Sequence, residues 1–232
     1  MCCTGLKTLS QVRKMTDLFI VAHPDDEILG ACGTIARLKA RGDRIAVLTM
    51  SCKSATREDD LAEKQLKTHE ILGIDASYQG DCETMKFATY DRFEMTRVIE
   101  DVLKQEDPDN VFTHDLHDIH NDHRVLAEIV LEASKLPMRG HNLCKAIQGL
   151  YTMEIPSSSD WGMGFMPNTF FGITEDDIRM KNELLREYYG GVIRDFPHPR
   201  NFSSFWALAR YRGGQCGCKF AEAFHKVMEV NV

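Results

Sequence analysis

Two short segments of this 232-residue chain carry histidine and carboxylate side chains at spacings suited to a metal ion. The first reads Ala-His-Pro-Asp-Asp-Glu at positions 22–27, and the second reads Asp-Ile-His-Asn-Asp-His at positions 118–123. Catalytic zinc commonly takes two histidines and one carboxylate, and it keeps its fourth position for water. We therefore predict that His23, Asp26 and His123 bind one Zn²⁺ per chain.

The neighbouring side chains supply the other groups that amide hydrolysis needs. A base must take a proton from water and return one to the departing amine, and Asp25 stands beside a predicted ligand. His120, three residues before His123, is predicted to assist the developing oxyanion or the leaving nitrogen. Asp122 is predicted to orient one of the ligand histidines. Because the ligand set has a single carboxylate, the site keeps a net positive charge that acidifies water and polarises a carbonyl.

Simpler explanations exist for both segments. Three acidic residues at a helix start also suit helix capping and the helix dipole. The histidines at 114, 117, 120 and 123 could form no more than a solvated loop. The metal-site interpretation is favoured because both segments follow predicted strands. Gly30 and Gly33 are interpreted as positions where the helix backbone approaches the site closely.

Alternating apolar strands and amphipathic helices predict the elements that position these segments. The predicted strands are Leu18–Ala22, Ile45–Met50, Ser77–Gln79, Asn110–Thr113 and Ala146–Glu154. Helices between strands imply parallel pairing with right-handed crossovers. The predicted fold is α/β, a three-layer Rossmann-like, doubly wound and mostly parallel sheet, in a single domain over residues 1–232. Adjacent central strands would bring the two segments together at the carboxyl edge of the sheet.

The later part of the chain gives weaker signals. A helix is predicted over Thr174–Tyr189, with Thr174 as its cap and acidic residues in its first turn. The chain is expected to be irregular from there until Phe205.

Composition narrows the choice of partner and compartment. A net charge of −7 argues against nucleic-acid binding, which needs clustered cations. No apolar run approaches the roughly 18–20 residues that span a bilayer, so we expect a cytoplasmic protein without membrane insertion. Oligomeric state stays open, a homo-oligomer included. The cysteines are expected to be thiols, and a less favoured alternative is a thiolate zinc site formed by Cys2, Cys3, Cys216 and Cys218.

The two segments resemble the zinc-dependent sugar-amide deacetylases called LmbE-like or PIG-L-like. The first continues as Leu-Gly-Ala-Cys-Gly-Thr at 29–34, the second ends in Arg124, and weaker similarity at 63–73 and 212–224 extends the likeness over nearly the whole chain. The resemblance implies zinc binding by His23, Asp26 and His123. It likewise implies that Asp25 is the general base and that His120 assists the transition state.

The same resemblance implies a small-molecule substrate, an acetylated amino sugar of the N-acetylglucosamine type. Members often carry an Arg where this chain has Asp60 and Leu61, which leaves Arg57 as the nearest candidate for a sugar or phosphate contact. Many members also have His-Xaa-Ser-Gln near the end of a late helix, where this chain has Tyr188-Tyr189-Gly190-Gly191. Arg194 and His198 are further candidate sugar contacts. Residues 1–14 have no counterpart in the shortest members and are interpreted as a possible N-terminal extension.

Two other functions compete with sugar deacetylation. The same site could cleave a larger sugar-linked amide or a thiol conjugate. A non-catalytic nucleotide- or sugar-binding Rossmann-like module is a different class, and it is disfavoured because no Gly-Xaa-Gly-Xaa-Xaa-Gly follows the first strand.

Overall fold

Seven strands of the computed structural model lie in one sheet. The model describes residues 13–53, 60–140 and 143–231. The strands are β1 Thr16–Val21, β2 Arg44–Thr49, β3 Ala76–Gln79, β4 Asn110–His114, β5 Gly149–Met153, β6 Thr169–Ile173 and β7 Phe220–Glu229. Their order across the sheet is β3-β2-β1-β4-β5-β7-β6.

The first five strands pair in parallel and the last two pair antiparallel. The order reverses at β1, which has β2 on one side and β4 on the other. Phe19 of β1 pairs with Phe112 of β4. The loops that leave these two strands therefore lie side by side at a topological switch point, where α/β sheets bind their ligands. The predicted fold class is confirmed.

Helices cover both faces of the sheet. They are α1 Asp26–Arg41, α2 Leu61–Leu72, α3 Arg92–Glu106, α4 Asn121–Ala133, α5 Leu136–Arg139, α6 Glu175–Tyr188 and α7 Phe202–Cys216, with 3₁₀ turns at Phe87–Thr89 and Gly190–Val192. Successive strand side chains point to opposite faces. In β1, Phe19 and Val21 join the core under α1, α6 and α7, whereas Leu18 and Ile20 join the core under α3 and α4.

The two helix glycines serve packing against the sheet. A Cβ added at Gly30 would lie 2.9 Å from Ile155 Cδ1, and one added at Gly33 would lie 2.9 Å from Ile173 Cγ2. Any larger residue would push α1 away from the strands. The interpretation of these glycines as a close approach to the site is therefore wrong.

A buried carboxylate also fastens α1 to β7. Glu222 accepts hydrogen bonds from the backbone N–H of Gly33 at 3.2 Å and of Thr34 at 2.7 Å, and from Thr34 Oγ1 at 2.8 Å. Lys181 Nζ of α6 lies 3.3 Å from the same carboxylate and donates to the Leu29 carbonyl at 2.6 Å. We call these groups the Glu222 cluster.

The late part of the chain differs from its prediction. Thr174 forms a capping box with Asp177, as its residue type predicted. However, β6, β7 and the start of α7 at Phe202 were not predicted. In β7 the buried run contains Glu222 between two alanines, which hides the apolar signal of a strand.

Among the helices of the described ranges, none combines the length and the apolar character that a membrane span requires.

Candidate active site

The carboxyl ends of β1 and β4 bring His23, Asp26 and His123 together. Asp26 is the first residue of α1, and His123 lies in the first turn of α4. Asp26 Oδ2 is 3.4 Å from His23 Nδ1 and 3.4 Å from His123 Nε2. All three side chains are buried. Two segments separated by about a hundred residues thus converge on one carboxylate oxygen.

These separations suit donors around a divalent cation. Zinc binds nitrogen and oxygen at about 2.0–2.2 Å, so donors at the corners of a tetrahedron of that size lie about 3.3–3.6 Å apart. Charge-assisted hydrogen bonds are shorter, at about 2.7–2.9 Å. The observed 3.4 Å agrees with the tetrahedral spacing. The two separations from Asp26 therefore suit donors around one metal ion. Among the described residues, the ligand atoms of His23, His120 and His123 lie within 4.8 Å of one another, as do those of Asp26, His114 and His123.

The second nitrogen of each imidazole faces a carboxylate. His23 Nε2 lies 3.0 Å from Asp122 Oδ2, and His123 Nδ1 lies 3.0 Å from Asp118 Oδ2. Such a partner fixes the tautomer and leaves the opposite nitrogen free to bind a cation. The structure thus places Asp122 where the sequence expected a positioning group.

Asp118 was not assigned a role from the sequence. Its Oδ2 accepts from Ser158 Oγ at 2.8 Å, and its Oδ1 accepts from the His120 N–H at 2.7 Å. Burial raises the pKa of Asp118, but His123 and the His120 N–H outweigh it and lower the pKa. Asp118 is therefore a charged group that holds His123. Its position five residues before His123 gave no signal, because the contact depends on how the loop folds back.

His114, the last residue of β4, is a second group that sequence reasoning did not assign. It is fully buried, so the solvated-loop explanation is wrong for this residue, while His117 is exposed. Its ring stacks on His123 with centroids 3.9 Å apart, and its Nε2 lies 3.3 Å from Asp26 Oδ2. That nitrogen accepts the Ala22 N–H at 2.9 Å. Because its lone pair is already engaged, His114 suits a supporting role better than metal binding.

Asp26 and His123 are electrostatically paired. Burial lowers the pKa of His123, but Asp26 and Asp118 outweigh it and raise the pKa to about 10. Burial raises the pKa of Asp26, yet the protonated His123 holds it well below the usual range. A proton on His123 Nε2 occupies the lone pair that a cation would use, so protons and metal compete for this nitrogen.

Asp25 precedes α1 in an unusual backbone conformation. Its φ is 113°, in the left-handed region, which costs a non-glycine residue about 1–3 kcal/mol. Its side chain makes no capping hydrogen bond. By contrast, Asp91 at the start of α3 caps Phe93 N at 2.7 Å. Helix capping therefore does not account for the Asp25 carboxylate, which is buried beside Asp26.

His120 is the N-cap residue of α4 and faces the same site. Its ring centroid is 4.9 Å from that of His23 and 4.4 Å from that of His123. Its Nδ1 has no hydrogen-bond partner among the described residues. Burial lowers the pKa of His120, and His123 and His23 lower it further, to about 4. The neutral imidazole of His120 therefore lies beside the rings of His23 and His123.

The remaining predicted residues lie apart from this cluster or beyond the described residues. Arg57, like Cys2 and Cys3, lies outside the described residues. Arg194 donates to the carbonyl of Ile193 at 3.0 Å, and His198 Nδ1 accepts the Arg200 N–H at 3.0 Å. These contacts stay within one loop, so the sugar contacts of both residues remain predictions. Cys216 and Cys218 are exposed thiols at the end of α7.

The region that carries both histidine segments matches a family of hydrolases that act on N-acetyl amide bonds. Residues 18–134 match the family model PIG-L, described as GlcNAc-PI de-N-acetylase. The chain belongs to the PIG-L family. A curated relative, the uncharacterized deacetylase YaiS of Escherichia coli strain K12, is 26% identical over 178 residues, 74% of this chain and 89% of the relative. The resemblance seen in the sequence is confirmed.

Solved structures share the fold over nearly the whole chain. The N,N'-diacetylchitobiose deacetylase of Pyrococcus horikoshii has a TM-score of 0.73 and 20% identity, and covers 92% of this chain and 84% of its own. The 4-carboxy-2-hydroxymuconate hydratase GalB of Pseudomonas putida KT2440 has a TM-score of 0.68 and 17% identity, with 94% and 98% covered. Because the fold also hosts a hydratase, the fold alone does not define the reaction.

Proposed function

We propose that this protein is a zinc-dependent hydrolase that removes the acetyl group from an N-acetylglucosamine-type amino sugar derivative. The observation that carries the proposal is the placement of His23 Nδ1 and His123 Nε2, each 3.4 Å from Asp26 Oδ2. The family description, GlcNAc-PI de-N-acetylase, supports the sugar. His23, Asp26 and His123 would hold the ion. When bound, a divalent cation supplies Lewis acidity that polarises an amide carbonyl and acidifies water.

Asp25 is the proposed general base. Its carboxylate is buried next to Asp26 and is not used as a helix cap. It takes the proton from the attacking water and returns it to the amine nitrogen as the amide C–N bond breaks. The strained backbone holds the carboxylate in place before the substrate arrives.

His120 is the proposed partner of the developing oxyanion. Because its pKa is lowered to about 4, the ring is neutral at neutral pH and donates a single N–H. Its position at the N-terminus of α4 adds the positive end of a helix dipole. Asp118 and Asp122 hold the two ligand imidazoles and do not contact the substrate in this proposal.

Acetate release from N-acetylglucosaminides by the zinc-loaded protein tests the proposal. We expect Asp25→Asn to lower kcat by roughly 10²–10⁴-fold, the usual contribution of a general base, with the metal still bound. Asp91→Asn is the matched control, because it makes the same chemical change at a helix N-cap where Asn also caps. Full activity of Asp25→Asn would contradict the mechanism. Absence of acetate release from every N-acetylglucosaminide would contradict the substrate.

A further inference from the structure

Among the described residues, the side chain of Arg124 donates to backbone carbonyls rather than to a carboxylate. Its Nη1 lies 2.7 Å from the carbonyl oxygen of Asp118 and 2.6 Å from that of Ile119. We propose that Arg124 is a positioning residue, which fixes the loop that carries His120 and so holds the His120 imidazole at the candidate active site. The inference rests on the proposed function, because it assigns how the partner of the oxyanion is held. We call residues 118–120 the His120 loop.

The side chain of Arg124 is not needed to form α4. The Arg124 backbone N–H already closes the first turn of the helix, with a 3.2 Å bond to the carbonyl of His120. The two side-chain bonds lie before that turn, in the His120 loop. Other arginines, such as Arg44 and Arg92, pair with glutamates. Because a charged donor makes hydrogen bonds about twice as strong as a neutral one, the guanidinium of Arg124 restrains the loop firmly.

Arg124 is the only donor to the Asp118 and Ile119 carbonyls in the part of the chain that the structure describes. The N–H groups of the same two residues have other partners. That of Asp118 donates to the Asp115 carbonyl at 3.3 Å, and that of Ile119 donates to the Ser158 carbonyl at 3.2 Å. A backbone carbonyl that loses its partner must turn toward water or stay unsatisfied. Removal of the guanidinium therefore releases the His120 loop.

The imidazole of His120 takes its position from this loop. No hydrogen bond from a described residue holds the ring, because its Nδ1 has no partner there and its side chain does not cap α4. Its ring contacts are with His23 and His123, at centroid distances of 4.9 and 4.4 Å. These contacts keep the ring close and set no direction for its N–H. The backbone of the His120 loop therefore determines where that N–H points, and Arg124 holds that backbone.

A double-mutant cycle between Arg124 and His120 tests the inference. Arg124→Met removes the donor and keeps an unbranched side chain. We expect it to lower kcat for acetate release from an N-acetylglucosaminide by about tenfold or more, because misplacing a group by 1 Å can cost about 10²-fold. His120→Ala should itself lower kcat by roughly 10²–10³-fold. In that background, Arg124→Met should lower kcat by less than about twofold, because the group that Arg124 positions is gone.

Arg139→Met is the matched control. Arg139 Nη2 donates to the carbonyl of Glu132 at 2.9 Å, so this variant removes the same kind of bond at the opposite end of α4. Its kcat should equal that of the wild type. Bound zinc should also be equal in wild type and Arg124→Met, because Ser158 Oγ holds the Asp118 carboxylate at 2.8 Å without the help of Arg124. Thermal melting checks that each variant is folded.

Two kinetic outcomes would overturn the inference and leave the deacetylase proposal intact. One is an equal loss of kcat in both backgrounds, because Arg124 would then act without His120. The other is a wild-type kcat in Arg124→Met.

If the wild type releases no acetate, the deacetylase proposal fails and amide hydrogen exchange decides the positioning role. The His120 N–H donates to Asp118 Oδ1 at 2.7 Å. Its exchange should be about tenfold faster or more in Arg124→Met than in the wild type or Arg139→Met, because the loop opens more often. Equal exchange in all three proteins would overturn the inference.

Discussion

Two buried carboxylates, Asp26 and Glu222, have opposite surroundings. Glu222 accepts four hydrogen bonds of 2.7–3.3 Å from N–H and O–H groups, and one of these comes from the cation Lys181. Asp26 Oδ2 accepts a hydrogen bond from the backbone N–H of His23. It also faces three imidazole nitrogens at 3.3–3.4 Å. Both groups are charged, both lie on or against α1, and both are buried.

The difference teaches that burial and charge alone do not identify a functional site. Around Glu222 every hydrogen bond is directed at the carboxylate, so this cluster is complete and stabilises the fold. Around Asp26, His23 Nδ1 and His123 Nε2 each lie 3.4 Å from Oδ2, a spacing that suits a shared cation. Nearby Glu27 Oε2, His114 Nδ1 and His120 Nδ1 have no partner among the described residues. Orientation of the donors separates a structural cluster from a reactive one.

Asp26→Asn is expected to give the largest effect. The change keeps the shape of the side chain and removes the charge of the proposed ligand, so the proposed function predicts that bound zinc falls from near one per chain toward zero. Because Lewis acidity contributes several kcal/mol, kcat/KM should fall roughly 10³-fold or more. Metal analysis of dialysed protein and acetate release measure both. A fully active, metal-loaded Asp26→Asn would break the contrast with Glu222.

Glu222→Gln is expected to change stability while sparing activity. It leaves Lys181 buried without its counter-charge, and breaking a buried pair in this way costs about 3–5 kcal/mol. Chemical denaturation with chelator present measures the free energy of unfolding. Bound zinc per folded chain and kcat/KM should match the wild type. Loss of metal without loss of stability would show that Glu222 belongs to the metal site and is not part of a structural cluster.

A third buried carboxylate, Asp17, extends the comparison, because its contribution to stability is expected to depend on pH. Its Oδ1 accepts from Asn110 at 2.7 Å, but its Oδ2 has no partner among the described residues. Burial raises its pKa from 3.8 to about 6. Because the folded-state pKa lies above the unfolded one, stability from the protonated form is full below about pH 4 and is lost as pH rises through 6.

Asp17→Asn should therefore stabilise the protein at pH 7.5 by up to about 3 kcal/mol, at 1.4 kcal/mol per pKa unit. The gain should disappear below pH 4, where Asp17 is protonated. Denaturation curves at pH 3.5 and 7.5 provide the comparison. Equal free energies for variant and wild type at both pH values would show that Asp17 carries no buried-charge penalty.

In the parallel half of the fold, β1 and β2 were predictable because they contain continuous apolar runs. His23-Pro24 stops β1, and the predicted β4 ended one residue short of the observed end at His114. The residues of the candidate site lie in two contiguous motifs, so residue type and spacing were enough to select them. Their roles still await the measurements above.

The rest depended on contacts that span the chain. In β7 the buried side chains include Ala221, Glu222 and Ala223, and a charged residue between two small ones has no strand period. Glu222 is buried only because α1 and α6 supply its partners. Likewise, His114 and Asp118 gain their roles from the folded-back loop. The antiparallel pairing of β7 with β5 and β6 therefore could not be predicted from the local sequence pattern.

The sheet order has a consequence for how the protein assembles. The contact between His23 and Asp122 joins positions 99 residues apart, and we expect it to form only after β1 and β4 have paired. Closing a loop of that length is entropically costly and slow compared with forming local helices. We therefore expect the candidate active site to form late in folding, and a nascent chain whose first two strands have already emerged still lacks His120 and His123.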